Sequence, residues 1–285
     1  MGQQKEAGVE KIRIYAADQV GPPSGEHQIL VGRSGPADKG MEPVVQRRRR
    51  WQLPLFALAA ILPALLVVTG GRDIPDSGER LVILEITKAQ ANVGTCTPAG
   101  TDNLAYGLTG YKLPSTAMVY KLKTASYPSY LVAADVTSAI NTSFAAWDAA
   151  TAKALFTNGG TTTAAVNKKD GTSTVGFGSL SSGTVGIAYA WANSSKVITE
   201  FDLTLSTGYQ WDLNKTDNGD CGGVADKFDV RDVIMHEIGH PTGLTDKSTT
   251  ADHAQTMHGY AAYKELYKRD LAGGEKKGVT TLYGP

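Results

Sequence analysis

The sequence predicts an α+β domain over residues 111–285, preceded by one signal or transmembrane helix. Three observations carry that expectation. A charge-free apolar run at residues 51–70 directly follows four arginines. Downstream, apolar residues alternate with a period of two in several short stretches. In two longer stretches they recur at helical spacing, and no internal repeat is present.

Composition sets outer bounds. Lys+Arg and Asp+Glu are 28 each in 285 residues, which excludes a generally basic nucleic-acid binder. With 41% hydrophobic residues a packed core is feasible. Two cysteines exclude a small disulfide scaffold or a Cys-rich zinc module.

Residues 1–46 mix Gly, Pro and charge with little periodicity and read as a disordered N-terminal segment. Part of it lies upstream of the protein if translation starts at Met41 rather than Met1. Residues 47–70 open with Arg47, Arg48, Arg49 and Arg50, then continue as WQLPLFALAAILPALLVVTG. About 20 apolar residues suffice to cross a bilayer, and the basic flank predicts a cytoplasmic N-terminus with the remainder exported. Val68, Thr69 and Gly70 are acceptable at a cleavage site, so signal peptide and membrane anchor both stay open. Residues 71–110 read as a connector, with one apolar run at 81–86 that has no evident place.

From residue 111 the pattern is globular. Met118, Tyr120 and Leu122 alternate with Val119, Lys121 and Lys123, a half-buried strand. Val136, Ile140, Phe144 and Trp147 predict an amphipathic helix over about residues 133–150. Strands are expected at 174–180, 184–192 and 197–205, the last two joined by a hairpin turn at 193–196. A second helix starts near Asp229, a good N-cap, and carries FDVRDVIMHEIGH.

The end of that helix carries the chemistry. His236, Glu237 and His240 form an H-E-x-x-H motif. Residues four apart share a helix face, so both imidazoles can reach one metal ion. Glu237 beside them can act as general base on a metal-bound water. Two neutral imidazoles and an oxygen ligand suit catalytic zinc, which keeps one position open. Gly243 can take the left-handed conformation that ends the helix, and the turn can bring Asp246 to the metal as third ligand. His253 and His258 also lie nearby, but position favours Asp246, three residues after Gly243.

These residues give HEIGHPTGLTD, which resembles the extended motif H-E-x-x-H-x-x-G-x-x-H/D of the metzincin zinc endopeptidases. Met257 stands where their methionine turn is expected, and residues 271–284 look like the last helix of the matrixin branch. The resemblance covers residues 111–285. It implies a twisted five-stranded mixed sheet with one antiparallel edge strand, three helices and a cleft across the domain. Residues 184–192 would be the edge strand that pairs with an extended peptide. The expected protein is a zinc-dependent endopeptidase, extracellular, secreted or membrane-anchored, acting on extracellular protein or peptide substrates as a monomer. Its ligands would be His236, His240 and Asp246, its base Glu237, and Met257 the floor beneath them.

Some features depart from the matrixin pattern. The third ligand is Asp, and Pro241 follows the second His, where it removes a helix hydrogen bond. Ala188, Tyr189 and Ala190 occupy the place of a structural-zinc His, so one zinc is expected; a calcium site stays open. Lys276 replaces an apolar residue of the last helix, and no zinc-blocking cysteine motif is visible. Two other classes remain: a catalytically inactive binding module tethered to the membrane, and a scaffold whose zinc is closed by Cys96, His253 or His258. Cys96 and Cys221 both fall on the expected exported side, which favours a disulfide between them. The rival reading makes Cys96 a thiolate on the zinc. Asn141, Asn193 and Asn214 match the short glycosylation acceptor pattern.

Overall fold

A computed structural model describes residues 13–16, 80–88, 96–214, 216 and 219–285. The run at 51–70 lies outside the described residues. Among the described residues no helix is long and apolar enough to cross a membrane.

The core of the fold is a sheet backed by helices. Strand β3 (Met118–Leu122) buries Met118, Tyr120 and Leu122 on one face. Helix α1 (Ala133–Asp148) follows, and β4 (Phe156–Thr161) returns parallel to β3. Then come β5 (Ser173–Gly178), β6 (Thr184–Ala192) and β7 (Ile198–Ser206). These five run in the order β4-β3-β5-β7-β6, with β6 antiparallel to its neighbour. The five-stranded mixed sheet is therefore present, but it does not stop at β6. β2 (Arg80–Lys88) pairs antiparallel with β6, and β1 (Arg13–Ala16) pairs antiparallel with β2. The apolar run at 81–86, which had no evident place in the sequence, is thus part of a sheet strand. Residues 96–110 also pack on the domain: Thr109 N–H donates to Gly243 O at 2.9 Å, and Gln255 Nε2 donates to Asn103 O at 2.8 Å.

Helix α1 forms where its apolar spacing requires. Val136, Ile140, Phe144 and Trp147 are all buried, and the Phe144 ring stacks on Tyr120 with centroids 3.7 Å apart. Each such side chain contributes about 1.5–3 kcal/mol by leaving water. Trp147 Nε1–H donates to Met235 O at 2.9 Å, which fixes α1 against the next helix, α2 (Val230–Gly239). The β6–β7 hairpin is closed by Asn193, whose Oδ1 accepts from Ser195 and Val197 N–H at 3.0 Å each. The short pair β8 (Trp211–Asp212) and β9 (Phe228–Asp229) leads into α2. Strand β10 (Tyr260–Ala261) pairs parallel with β2, and α3 (Gly273–Tyr283) closes the chain. Lys276 faces solvent on α3, so its charge costs the core nothing.

Candidate active site

Helix α2 begins as its sequence requires. The Asp229 side chain accepts from Asp232 N–H at 2.9 Å, an N-cap. Arg269 Nε–H donates to the same Asp229 Oδ1 at 2.8 Å. The helix is buried at every position but Arg231 and ends at Gly239. Leu244 N–H donates to Gly239 O at 3.0 Å and Gly243 N–H to His240 O at 2.9 Å, the paired bonds of a Schellman stop. Gly243 has φ +101°, and a Cβ there would stand 2.6 Å from Tyr111 O, so glycine is needed on both counts. Pro241 falls just beyond the helix and its C-cap His240, so its missing N–H leaves the helix Val230–Gly239 intact.

The reversal brings Asp246 back under the helix end. Lys247 N–H donates to Met257 O at 2.7 Å and Gly259 N–H to Lys247 O at 2.9 Å, pinning the returning chain to the segment around Met257. Asp246 Oδ1 then lies 3.0 Å from His236 Nε2 and 3.5 Å from His240 Nε2. Among the described residues, these three make the cluster able to hold a metal, with ligand atoms within 4.8 Å of one another.

The atoms that converge are the ones a cation needs. His236 Nδ1 bonds Thr256 O at 2.9 Å and His240 Nδ1 bonds Leu244 O at 3.1 Å. A carbonyl only accepts, so each Nδ1 carries the proton and each Nε2 presents a lone pair. His236 Nε2, His240 Nε2 and Asp246 Oδ1 are buried and form no hydrogen bond. Three acceptor atoms facing one point without donors is a costly arrangement that a dication relieves. Burial pushes the His236 imidazole down to about 3 and His240 to about 4, so both are neutral, as ligands must be. Both imidazoles are fully buried, whereas the Asp246 side chain is 20% exposed, so the cluster opens on the Asp246 side. Two nitrogens and a carboxylate oxygen fit zinc.

Glu237 is fully buried beside the cluster. Gly186 on β6 touches it: a Cβ at Gly186 would stand 2.4 Å from Glu237 Oε1. Met257 packs under the helix end, its Sδ 2.1 Å from where a Gly239 Cβ would be. The shape beneath the ligands thus depends on both a glycine and a flexible apolar side chain. His253 and His258 stay out of the cluster. Their rings stack 5.0 Å apart, and His253 Nδ1 bonds Tyr267 Oη at 2.9 Å. Cys96 is bonded to Cys221, which removes it as a thiolate ligand.

One supporting residue was not singled out from sequence. Glu275 at the start of α3 is fully buried and accepts from Met257 N–H at 3.0 Å. Burial raises its carboxyl to about 6. No short motif marks it, because it acts on a backbone N–H. The signal available was an acid in the first turn of the last helix.

The model of the family described as Peptidase_M10: Matrixin matches residues 112–284. No curated protein matches the chain.

Proposed function

The chain belongs to the matrixin family of zinc metallopeptidases, and from that premise we propose that it is a zinc endopeptidase whose general base is Glu237. His236, His240 and Asp246 would hold the ion. The observation that carries this reading is the convergence of three buried, donor-less ligand atoms next to a buried carboxylate. When bound, zinc supplies a Lewis acid for the scissile carbonyl and lowers the pKa of water nearby. Glu237 takes a proton from the attacking water and passes it to the leaving amide nitrogen. Strand β6 runs beside Glu237, and the edge that β2 occupies in this structure would offer backbone groups to an extended peptide once β2 gives way, a mode that recognises main chain more than side chains.

The substrates in this proposal are proteins or peptides outside the cytoplasm. The Cys96–Cys221 disulfide supports that location, since such bonds persist in oxidising compartments. The four arginines ahead of an apolar run support it independently. Glu237→Gln keeps the shape and removes the base. The zinc-loaded variant of the full chain should retain its metal and lose about two or more orders of magnitude in peptide turnover. Undiminished turnover with zinc bound would exclude Glu237 as the base.

A further inference from the structure

We infer that the buried pair Lys268 and Glu265 are positioning residues, a clamp that holds β10 in place as the wall of the peptide-binding cleft opposite β6. The inference rests on the zinc-peptidase reading and deepens it on the side of substrate binding.

Two strands reach the site from different sides. β6 does so at Gly186, where a Cβ would stand 2.4 Å from Glu237 Oε1. β10 directly follows Gly259, where a Cβ would stand 3.1 Å from Asp246 Cγ. Among the described residues β6 and β10 do not pair with each other. Thr87 of β2 is the register partner of Thr184 on β6 and of Tyr260 on β10. The gap between the two walls is therefore one strand wide, or two strand spacings of about 4.8 Å each.

β10 cannot keep that position alone. It is two residues long, and among the described residues β2 is its strand partner. When the chain in the gap is exchanged for another, β10 stands unpaired, and so short a strand has no stability of its own. The buried pair supplies the missing hold. Lys268 Nζ donates to Tyr260 O at 2.5 Å, and Ala262 N–H donates to Glu265 Oε2 at 3.3 Å. The two bonds fall on either side of Ala261. Lys268 Nζ also donates to Glu265 Oε1, so each arm of the clamp braces the other. Both side chains are buried, where water does not compete for charge-assisted bonds.

The clamp is set in register with the metal helix. Lys268 N–H donates to Asp232 Oδ1 at 2.8 Å, and Asp232 lies one turn before His236 on the same helix face. The ligand side has its own fastenings, because Lys247 N–H donates to Met257 O and Gly259 N–H to Lys247 O. Losing the clamp should therefore release the wall and leave the ligands in place. Apolar residues of similar size would hold a core as well as a buried ion pair does, so an ammonium aimed at one strand carbonyl points to placement. A wall fixed in advance lowers the ordering cost of taking up an extended peptide. It serves bound substrate and transition state alike, so its effect falls on KM and not on kcat.

The test compares the zinc-loaded full chain with Lys268→Met/Glu265→Leu, which removes both arms and leaves no buried charge. KM for an added peptide should rise by at least about tenfold, the size expected for bonds to charged groups, with kcat and zinc content kept. Amide deuterium exchange over residues 259–262 should quicken by about tenfold or more, while residues 184–192 exchange as in the parent. Phe144→Leu, a core change in α1 far from the clamp in sequence, should lower stability and keep the parental KM and the parental exchange over 259–262. Glu265→Gln keeps the shape and weakens the clamp, so it should move KM and exchange in the same direction even if the double variant does not fold. Parental KM and parental exchange over 259–262 in a folded clamp variant would overturn the inference. A KM rise in Phe144→Leu as large as in the clamp variants would also overturn it, by reducing the effect to general loss of stability. A zinc-loaded parent that cleaves no peptide would overturn the peptidase reading instead, and the exchange rates would still decide whether the pair holds β10.

Discussion

The two ends of helix α2 bury comparable numbers of polar groups and treat them in opposite ways. At the N-terminal end the buried acids meet donors within the protein. Asp229 caps the helix and pairs with Arg269. Asp232 accepts from Lys268 N–H at 2.8 Å, and the fully buried Lys268 ammonium pairs with Glu265. At the C-terminal end His236 Nε2, His240 Nε2 and Asp246 Oδ1 face one another with nothing to donate to them. A satisfied buried cluster holds a fold together, and an acceptor-only cluster is incomplete without a cation. The same helix carries both, so composition alone does not separate structure from function here.

The contrast predicts which end fails in which assay, and the largest effect is expected at the N-terminal end. Lys268→Met leaves Glu265 buried without its partner and should cost about 3–5 kcal/mol in stability by denaturant titration. Adding Glu265→Leu should recover most of that loss, because the pair and not the lysine is what matters. A double variant as unstable as the single one would deny the pairing its role.

At the other end the effect should fall on metal and spare the fold. Asp246→Ala should weaken zinc binding by more than about 100-fold, beyond what losing an outer-shell partner does. His253→Ala should keep its zinc, since His253 is tied to Tyr267. Equilibrium dialysis of both variants against zinc distinguishes them, and zinc lost only from His253→Ala would invert the ligand set.

A smaller effect concerns acid. Burial holds the His258 imidazole down at about 3, against an ordinary 6.5. The unfolded chain therefore binds a proton there that the folded chain does not, between about pH 3 and 6.5. Stability rises with pH in that window and is lost as pH falls below about 6.5, by up to about 1.4 kcal/mol per pH unit for this group. Replacing His258 with Phe should remove that share of the slope. The comparison is parent against variant in metal-free protein from pH 7 to 5, because raised carboxyls such as Glu275 act with the opposite sign. Identical slopes would show that His258 does not titrate as a buried group. A further effect concerns the cap. Asp229→Ala should cost about 1 kcal/mol for the lost helix bond and more for Arg269, left largely buried without its partner, with zinc affinity unchanged.

Much of the domain could be read from the chain because the relevant signals are local. The periodicity of Val136, Ile140, Phe144 and Trp147 marks α1, and all four are buried. HEIGH needs only one helix face to bring two imidazoles together, and Gly243 supplies the turn toward Asp246. What escaped is non-local or silent. β4 reads FTNGGT and buries only Phe156, so neither alternation nor β-propensity announces it. β2 is apolar enough to be noticed, but its partner β6 is about a hundred residues away, and pairing at that distance leaves no pattern in either segment. Glu275 supports Met257 through a backbone N–H, which any sequence could offer.

The central claim is that the C-terminal end of α2 is a zinc site built from His236, His240 and Asp246. X-ray absorption at the zinc edge, on the full chain loaded with one equivalent of zinc, tests it most directly. The account predicts two imidazole nitrogens at about 2.0–2.1 Å and a protein carboxylate oxygen at about 2.0–2.2 Å, with no sulfur. It also predicts that the oxygen signal changes in Asp246→Ala. A sulfur scatterer at about 2.3 Å, or a third imidazole in place of the carboxylate, would contradict it.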